Sequence, residues 1–289
     1  MTSVAQVLAI AALAPLLQGC MRSLRARLSG RPGPSPLQAY RDLAKLWRKE
    51  ALLPDSVSVL ALIAPGVALG VAATFAAAIP LANTFASNIV DVVALAMLLT
   101  LGRFVTALVA LDTRSGFAGM AASREMTFAS LAEPALLIAL LGGAAIGNGT
   151  ALRSLVGVPF GIAGLLAIAA FFLVLLSETA RVPIDNQETH YELTMIHEGL
   201  VLEYGGWQLA LMSLAAQIRQ LCFLLLASFL LPGSDWQAHL VWVAGLAIAI
   251  TVVETALAKV RLFEIPQLMT SALILALASI CLRIGVLPS

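Results

Sequence analysis

One charged segment of an otherwise apolar chain carries most of the side chains that could do chemistry. Residues 177–206 contain six of the sixteen acidic residues, namely Glu178, Asp185, Glu188, Glu192, Glu198 and Glu203. Carboxylates crowded in a protein interior repel one another, and burial raises their pKa values further. Such a group can hold and pass protons near neutral pH. The segment therefore predicts a proton path, and a solvated acidic loop is the alternative.

Further charged side chains lie where they could support or extend this path. Arg181, His190 and His197 belong to the acidic segment itself, whereas Arg103 and Arg219 lie deep in apolar runs. Charges inside a membrane are costly, so they usually pair with one another and usually mark a pathway. Structural ion pairs between helices are the alternative for the two arginines. Two acids in apolar runs could continue the line from the segment: Glu133 and Glu254.

The histidines and cysteines do not form a metal-binding pattern. His190 and His197 are seven residues apart, and the second histidine of the zinc-protease motif is missing after His197-Glu198. The three cysteines, Cys20, Cys222 and Cys281, lie far apart without a CxxC pair. They offer no framework for an iron–sulfur cluster or a structural zinc. We therefore predict no metal and no cofactor in this chain.

The composition requires an apolar solvent. Hydrophobic residues make up 60% of the 289 positions and charged residues 11%, whereas soluble domains carry about 25% charged residues. Runs of about 20 apolar residues are long enough to cross a bilayer as helices. We predict an all-α polytopic membrane protein, a single membrane domain over 1–289 with about eight transmembrane helices. The predicted spans are 2–20, 57–80, 89–111, 127–147, 156–177, 207–231, 238–258 and 266–286.

Basic residues orient these spans. The connections after the first, third, fifth and seventh helices hold nearly all the arginines and lysines outside the spans, which places these connections in the cytoplasm. Both termini then lie outside the cell's cytoplasm. We predict that the chain lies in the inner membrane. No basic residue precedes the first apolar run, and Arg22, Arg25 and Arg27 follow it. This order predicts a membrane helix rather than a cleaved signal peptide.

Two long cytoplasmic segments, 21–56 and 177–206, result from this topology. In the first, Leu37, Tyr40, Leu43, Leu46 and Trp47 recur at helical spacing opposite charged residues. An amphipathic helix with this pattern lies along a membrane surface or against a partner, and a positive-inside anchor is the alternative. The candidate docking residues are Arg31, Gln38, Arg41, Lys45, Arg48 and Lys49.

The second segment predicts a helix as well. Asp185 followed by Glu188 is a capping pattern, and Gly205-Gly206 would stop a helix that begins near Asn186 and ends near Tyr204. On this helix Glu188, Glu192 and Glu203 would share one face.

Several motifs resemble one family of membrane subunits. The loop motifs are Glu178-Thr179-Ala180-Arg181-Val182-Pro183-Ile184-Asp185, Glu188, Glu192-Leu193 and Glu203-Tyr204-Gly205-Gly206, with Arg31-Pro32-Gly33-Pro34, Leu37-Gln38 and Lys45 to Glu50 in the first cytoplasmic segment. They resemble the ND1-type family, subunit 1 of respiratory complex I, over essentially the whole chain. Two further motifs resemble its hydrogenase-4 and formate hydrogenlyase branch: Thr194-Met195-Ile196-His197-Glu198 and residues 258–268.

The resemblance implies a non-catalytic subunit of an oxidoreductase complex. This subunit would anchor a group 4 type nickel–iron hydrogenase module and begin a charged path toward antiporter-like membrane subunits. The nickel–iron centre and the iron–sulfur clusters would lie in partner subunits: the hydrogenase large and small subunits and an iron–sulfur subunit. The chain departs from the family where His190 replaces a common acid and where Glu133 is displaced by a few positions.

Three other functions stay open. A complex I type subunit lining a quinone channel would show quinone-dependent turnover. A purely structural anchor would use the loop acids only for docking. A stand-alone transporter is less favoured, since no inverted repeat with paired broken helices is visible.

Overall fold

The structure is a computed structural model, and it describes residues 3–51, 57–81, 90–144, 149–156, 161–185, 195–233 and 235–286. Helices α1 to α10 form the described fold. Seven of them are long and apolar enough to cross a membrane, and α6 is a shorter apolar helix. The helix bounds are α1 Ser3–Leu28, α2 Gln38–Trp47, α3 Val59–Ala78, α4 Val92–Asp112, α5 Gly116–Ala144, α6 Ile162–Glu178, α7 His197–Leu200, α8 Gly206–Phe229, α9 Trp236–Ala256 and α10 Ile265–Val286.

The prediction of a polytopic all-helical membrane protein is confirmed, with apolar helices at all eight predicted places. Two bounds were wrong. α1 continues to Leu28, and α5 begins at Gly116 rather than at residue 127. The predicted bounds followed apolarity, but the polar triplet 123–125 lies inside α5, and Glu125 within it is buried. Its charge is compensated by another helix, which apolarity alone cannot indicate.

Helix α8 lies at the centre of the packing. It contacts α1, α2, α3, α6 and α9, while α10 packs on α5 and α6. Three fully buried phenylalanines join α3, α6 and α8: Phe75 and Phe171 both face Phe223, with ring centroids 5.2 and 6.2 Å away. Edge-to-face aromatic pairs of this kind add to the energy of burial. This core fixes the helices whose polar ends form the site below.

The amphipathic helix predicted within segment 21–56 is confirmed as α2. It packs against α1 and α8, and the hydroxyl of Tyr40 donates a hydrogen bond to the carbonyl of Ala12 in α1. The loop before α2 comes so close to α1 that a Cβ on Gly19 would lie 1.8 Å from the carbonyl oxygen of Pro36. Because Gly19 has no side chain, the loop can lie this close to α1.

We expect Gly19→Ala to destabilise the chain by about 1–3 kcal/mol or more, because the methyl group meets backbone that cannot move aside like a side chain. The measurement is the thermal midpoint of the purified chain in detergent. Gly70→Ala in α3 is the matched control, since no atom lies within 4 Å of its added Cβ. Equal midpoints for the two variants would contradict the close approach.

The acidic segment differs from the single helix predicted over residues 186–204. In the part of this range that the structure describes, 195–204, the helix is confined to His197–Leu200 and turns follow it. Asp185 does act as a cap, but for this later helix: its Oδ2 accepts hydrogen bonds from the backbone N–H groups of Ile196 and His197, at 3.3 and 3.1 Å. The chain therefore returns to Asp185 after eleven residues, a long-range contact that local capping patterns do not indicate.

Candidate functional site

A buried arginine with three carboxylates forms the centre of the candidate site. Arg103 of α4 contacts Glu125 and Glu133 of α5 and Glu178 at the end of α6. Its Nε lies 3.0 Å from Oε1 of Glu125, and its two terminal nitrogens donate to Glu133 and Glu178. The side chain of Arg103 is 7% exposed and that of Glu178 is 2% exposed. We call these four residues the Arg103 cluster.

The end of α6 directs two charges into two different clusters. The N–H of Arg181 donates to the carbonyl of Leu176, and the N–H of Ala180 donates to that of Ser177, while Ala180 has a positive φ of 52°. This is the Schellman arrangement that terminates helices. Glu178 thus stays on the helix beside Arg103, and Arg181 leaves it.

Arg181 forms a second buried cluster. Its Nη1 donates to Oε1 of Glu254 in α9 at 3.0 Å, and its Nη2 donates to the side-chain oxygens of Gln18 and Gln220, at 2.5 and 2.7 Å. Arg25 lies 4.0 Å from the other oxygen of Glu254. This Arg181 cluster joins α1, α8 and α9 through one guanidinium group.

A row of alternating charges continues from the Arg103 cluster. Glu125 lies 3.5 Å from Nε2 of His197, whose Nδ1 lies 3.7 Å from Oδ2 of Asp185. These are ion-pair distances, longer than hydrogen bonds. Lys259 ends the row, with its Nζ 2.8 Å from Oδ1 of Asp185. Arg103, Glu125, His197, Asp185 and Lys259 are called the charged row below.

The groups of this row outside the membrane-spanning helices have shifted pKa values. Burial disfavours the charged form of His197, but the carboxylates of Glu125 and Asp185 outweigh burial and raise the pKa of this imidazole. Burial would raise the pKa of Asp185, yet His197 and Lys259 hold it well below its usual range. Both shifts favour the ionised row.

A cavity of about 220 Å³ adjoins the row. Its lining combines apolar side chains of α3 and α8 with polar groups, and Arg103, Glu125 and His197 all reach it. Arg219 of α8 lines the same cavity. The carboxylates of Glu178 and Glu125 attract its positive charge. The side-chain oxygen of Gln217 is buried and accepts no hydrogen bond from a described residue.

The predicted path residues fall into distinct groups. Glu178, Glu133 and Arg103 meet in one cluster, Asp185 and His197 in the row, and Glu254 and Arg181 in the second cluster. Glu203 is half-buried, and within the described part of the chain no ion pair joins it to either cluster. Three predicted residues lie outside the described residues: Glu188, His190 and Glu192.

The predicted docking residues are mostly accessible. Arg31, Arg41, Lys45, Arg48 and Lys49 are exposed. Gln38 instead donates a hydrogen bond to Asp42 at 2.9 Å.

Sequence reasoning missed four residues of the site. They are Glu125, Gln18, Gln220 and Lys259, which are absent from the predicted path, supporting and docking residues. A signal existed for Glu125, since it lies eight residues before Glu133, about two turns along a helix. The glutamines carried no signal, because their role depends on Arg181 reaching across the bundle.

Comparison with known proteins identifies the family. The family model for NADH dehydrogenase matches residues 1–284. The chain belongs to the NADH dehydrogenase family. Two Escherichia coli proteins are similar to this family member: hydrogenase-4 component C, 35% identical over 226 residues, covering 75% of this chain and 70% of that protein, and formate hydrogenlyase subunit 4, 32% identical over 272 residues, covering 90% and 87%. The predicted family and its hydrogenase branch are confirmed.

A solved structure shows the same fold for this NADH dehydrogenase family member. A chain of the membrane-bound sulfane sulfur reductase, an archaeal respiratory membrane complex, matches with a TM-score of 0.84 and 16% identity over 97% of both chains. Within the described residues, no three His, Cys, Asp or Glu side chains are grouped to hold a metal ion.

Proposed function

We propose that this chain is the membrane anchor and proton-path subunit of a group 4 type nickel–iron hydrogenase complex. The names of its two Escherichia coli relatives support the hydrogenase assignment. The observation that carries the proton path is the charged row, which runs from Lys259 and Asp185 to the buried carboxylates of the Arg103 cluster. An anchor alone would not require charges of alternating sign in a buried line.

The mechanism is electrostatic. A change of charge on a partner surface beside the acidic segment alters the energy of each carboxylate in the row, because charges a few ångströms apart interact strongly where water is scarce. Protons then shift between neighbouring groups, from the segment toward Glu178 and Glu133. We place Glu188, Glu192 and Glu203 at the entry and Glu254 on a continuation of the path. The ion then passes to antiporter-like subunits.

The remaining components lie in partner subunits. The hydrogenase large and small subunits and an iron–sulfur subunit would hold the nickel–iron centre and the clusters. They would dock on the cytoplasmic face, where the exposed basic residues of segment 21–56 offer a contact surface. We also propose that the chain lies in the inner membrane with both termini outside, an orientation that the positive-inside pattern supports.

We expect Glu178→Gln in the assembled complex to abolish ion movement while hydrogen evolution by the partner module continues. Glu178 lies against Arg103 and is nearly fully buried, so its loss interrupts the path within the Arg103 cluster. The measurement is pH-dye quenching in inverted vesicles, with hydrogen followed in the same sample. Glu188→Gln and Glu192→Gln test the entry in the same way.

Glu264→Gln is the matched control, because this carboxylate is exposed at the start of α10. Retained ion movement in Glu178→Gln would contradict the path. Loss of partner subunits on purification of Glu178→Gln, at unchanged ion movement per complex, would instead favour the purely structural anchor.

The cavity favours a second candidate, a quinone channel of the complex I type. A space of about 220 Å³ beside Arg103 and His197 has an apolar lining with a few polar groups, as small-molecule sites usually do. This function requires quinone-dependent turnover that bulky substitutions at Ala68 or Ala216 would block. Turnover indifferent to quinone would remove this candidate.

A further inference from the structure

His197 occupies the central position of the charged row. Its two ring nitrogens face two carboxylates from different parts of the chain, Glu125 in α5 and Asp185 after α6, at 3.5 and 3.7 Å. Each carboxylate is bound on its other oxygen by a cation, Arg103 or Lys259, at 3.0 and 2.8 Å. The imidazole therefore stands between two anchored negative charges.

Three cations lie around His197: Arg103, Arg219 and Lys259. Among the groups of the row, only the imidazole has an ordinary pKa near neutral pH, about 6.5. Glu125, Asp185 and Glu178 favour its protonation, whereas Arg219 opposes it. Arg124 donates to the carbonyl of Met195 rather than to the ring, and Glu198 is the acid on the same short helix. The balance favours the imidazolium.

Water has access to this imidazole. His197 lines the cavity, and its side chain is 18% exposed. Arg22, which lines the same cavity, is exposed at the surface. Glu125 behind the ring is less exposed, at 7%. His197 thus stands between the solvent side of the cavity and the buried cluster.

Resting on the proposed function, we propose that His197 is the proton-holding residue of the row, which takes a proton from cavity water and passes it to Glu125. In the first step an O–H bond of hydronium breaks and an N–H bond forms on the ring. In the second, the Nε2–H bond breaks and an O–H bond forms at Oε2 of Glu125. The proton crosses either directly, once the distance of 3.5 Å between these two atoms shortens, or through one bridging water. No redox partner is required.

Nitrogen NMR of the full chain in nanodiscs tests the first step. With 15N-labelled histidine the chain gives signals from only three residues, His190, His197 and His239, and His197→Gln assigns the relevant one. We expect this signal to titrate above the ordinary value of about 6.5, and Glu125→Gln and Asp185→Asn each to lower its midpoint. His239→Gln is the control, since His239 is buried beside Ser228, apart from the row. A His197 signal that titrates at or below 6.5 would overturn the proposal.

Stability has the matching pH dependence. Because folding raises the pKa of His197, its contribution is full below about 6.5 and is lost as pH rises through the folded value. Asp185 acts in the opposite range: its pKa is lowered, so its contribution is present above about 3.8 and lost as pH falls through the folded value. His197→Gln should abolish the first dependence and weaken the second, because Lys259 alone then lowers the pKa of Asp185.

The assembled complex tests the second step. His197→Lys keeps a positive charge beside the two carboxylates at pH values from 6 to about 9, whereas His197→Gln removes the charge. We expect ion movement per hydrogen to fall at least tenfold in both variants, with hydrogen evolution retained. Wild-type coupling in His197→Lys would overturn proton transfer. Absence of ion movement in the wild type, with the NMR midpoint raised, would instead reject the proposed function.

Discussion

Arg103→Met is expected to destabilise the chain by about 3–5 kcal/mol, the cost of leaving buried charges without their partner. Three carboxylates, Glu125, Glu133 and Glu178, would remain together around an uncharged side chain. Two of them are at most 7% exposed, so water cannot replace the guanidinium. The measurement is the thermal midpoint in detergent at pH 7.

Arg41→Met is the matched control for this substitution, because Arg41 is exposed on α2 and exposed charges contribute at most about 1 kcal/mol. Adding Glu125→Gln and Glu178→Gln to Arg103→Met should recover part of the lost stability, since fewer like charges then repel one another. A midpoint of Arg103→Met equal to that of Arg41→Met would refute the cluster.

Arg181→Met is expected to have the second largest effect, also about 3–5 kcal/mol. The substitution removes an ion pair of 3.0 Å with Glu254 and the shared donor for Gln18 and Gln220. Three helices then lose their common contact, and among the described residues Glu254 keeps one cation, Arg25, at 4.0 Å. Thermal unfolding of the purified chain measures the loss.

The double variant Arg181→Met/Glu254→Met should regain most of this stability, because replacing both partners of a buried pair by apolar groups is often nearly neutral. Glu254→Met should give no such rescue to Arg103→Met, because among the described residues no ion pair joins the two clusters and substitutions without shared partners usually add independently. Equal rescue of both arginine variants would show that the clusters are one unit.

The helices themselves were predictable from the sequence. A bilayer requires about 20 apolar residues per crossing, so the apolar runs indicated every membrane helix, and the spacing of Leu37, Tyr40 and Trp47 indicated α2. The acidic segment that begins at the carboxyl end of α6 was recognisable as the candidate path. These features are local, since each depends on residues within one element.

The partners of the charges were decided only by the tertiary structure. Glu125 was missed because its cost is offset by Arg103, 22 positions earlier on another helix. Helices that are apolar on all sides carry no periodic signal for the direction of packing, so the rotation of α4 relative to α5 and α6 could not be read from the chain. For the same reason the sequence could not indicate that Glu254 pairs with Arg181 rather than with a residue of the row.

The sequence by itself thus determined that the chain is a membrane protein with closely spaced acidic residues in segment 177–206. The tertiary structure decided which cations the buried acids of the two clusters face, and that His197 lies between Glu125 and Asp185. The physical reason is that apolar burial in a bilayer depends on residues within one helix, whereas an ion pair depends on the distance between two.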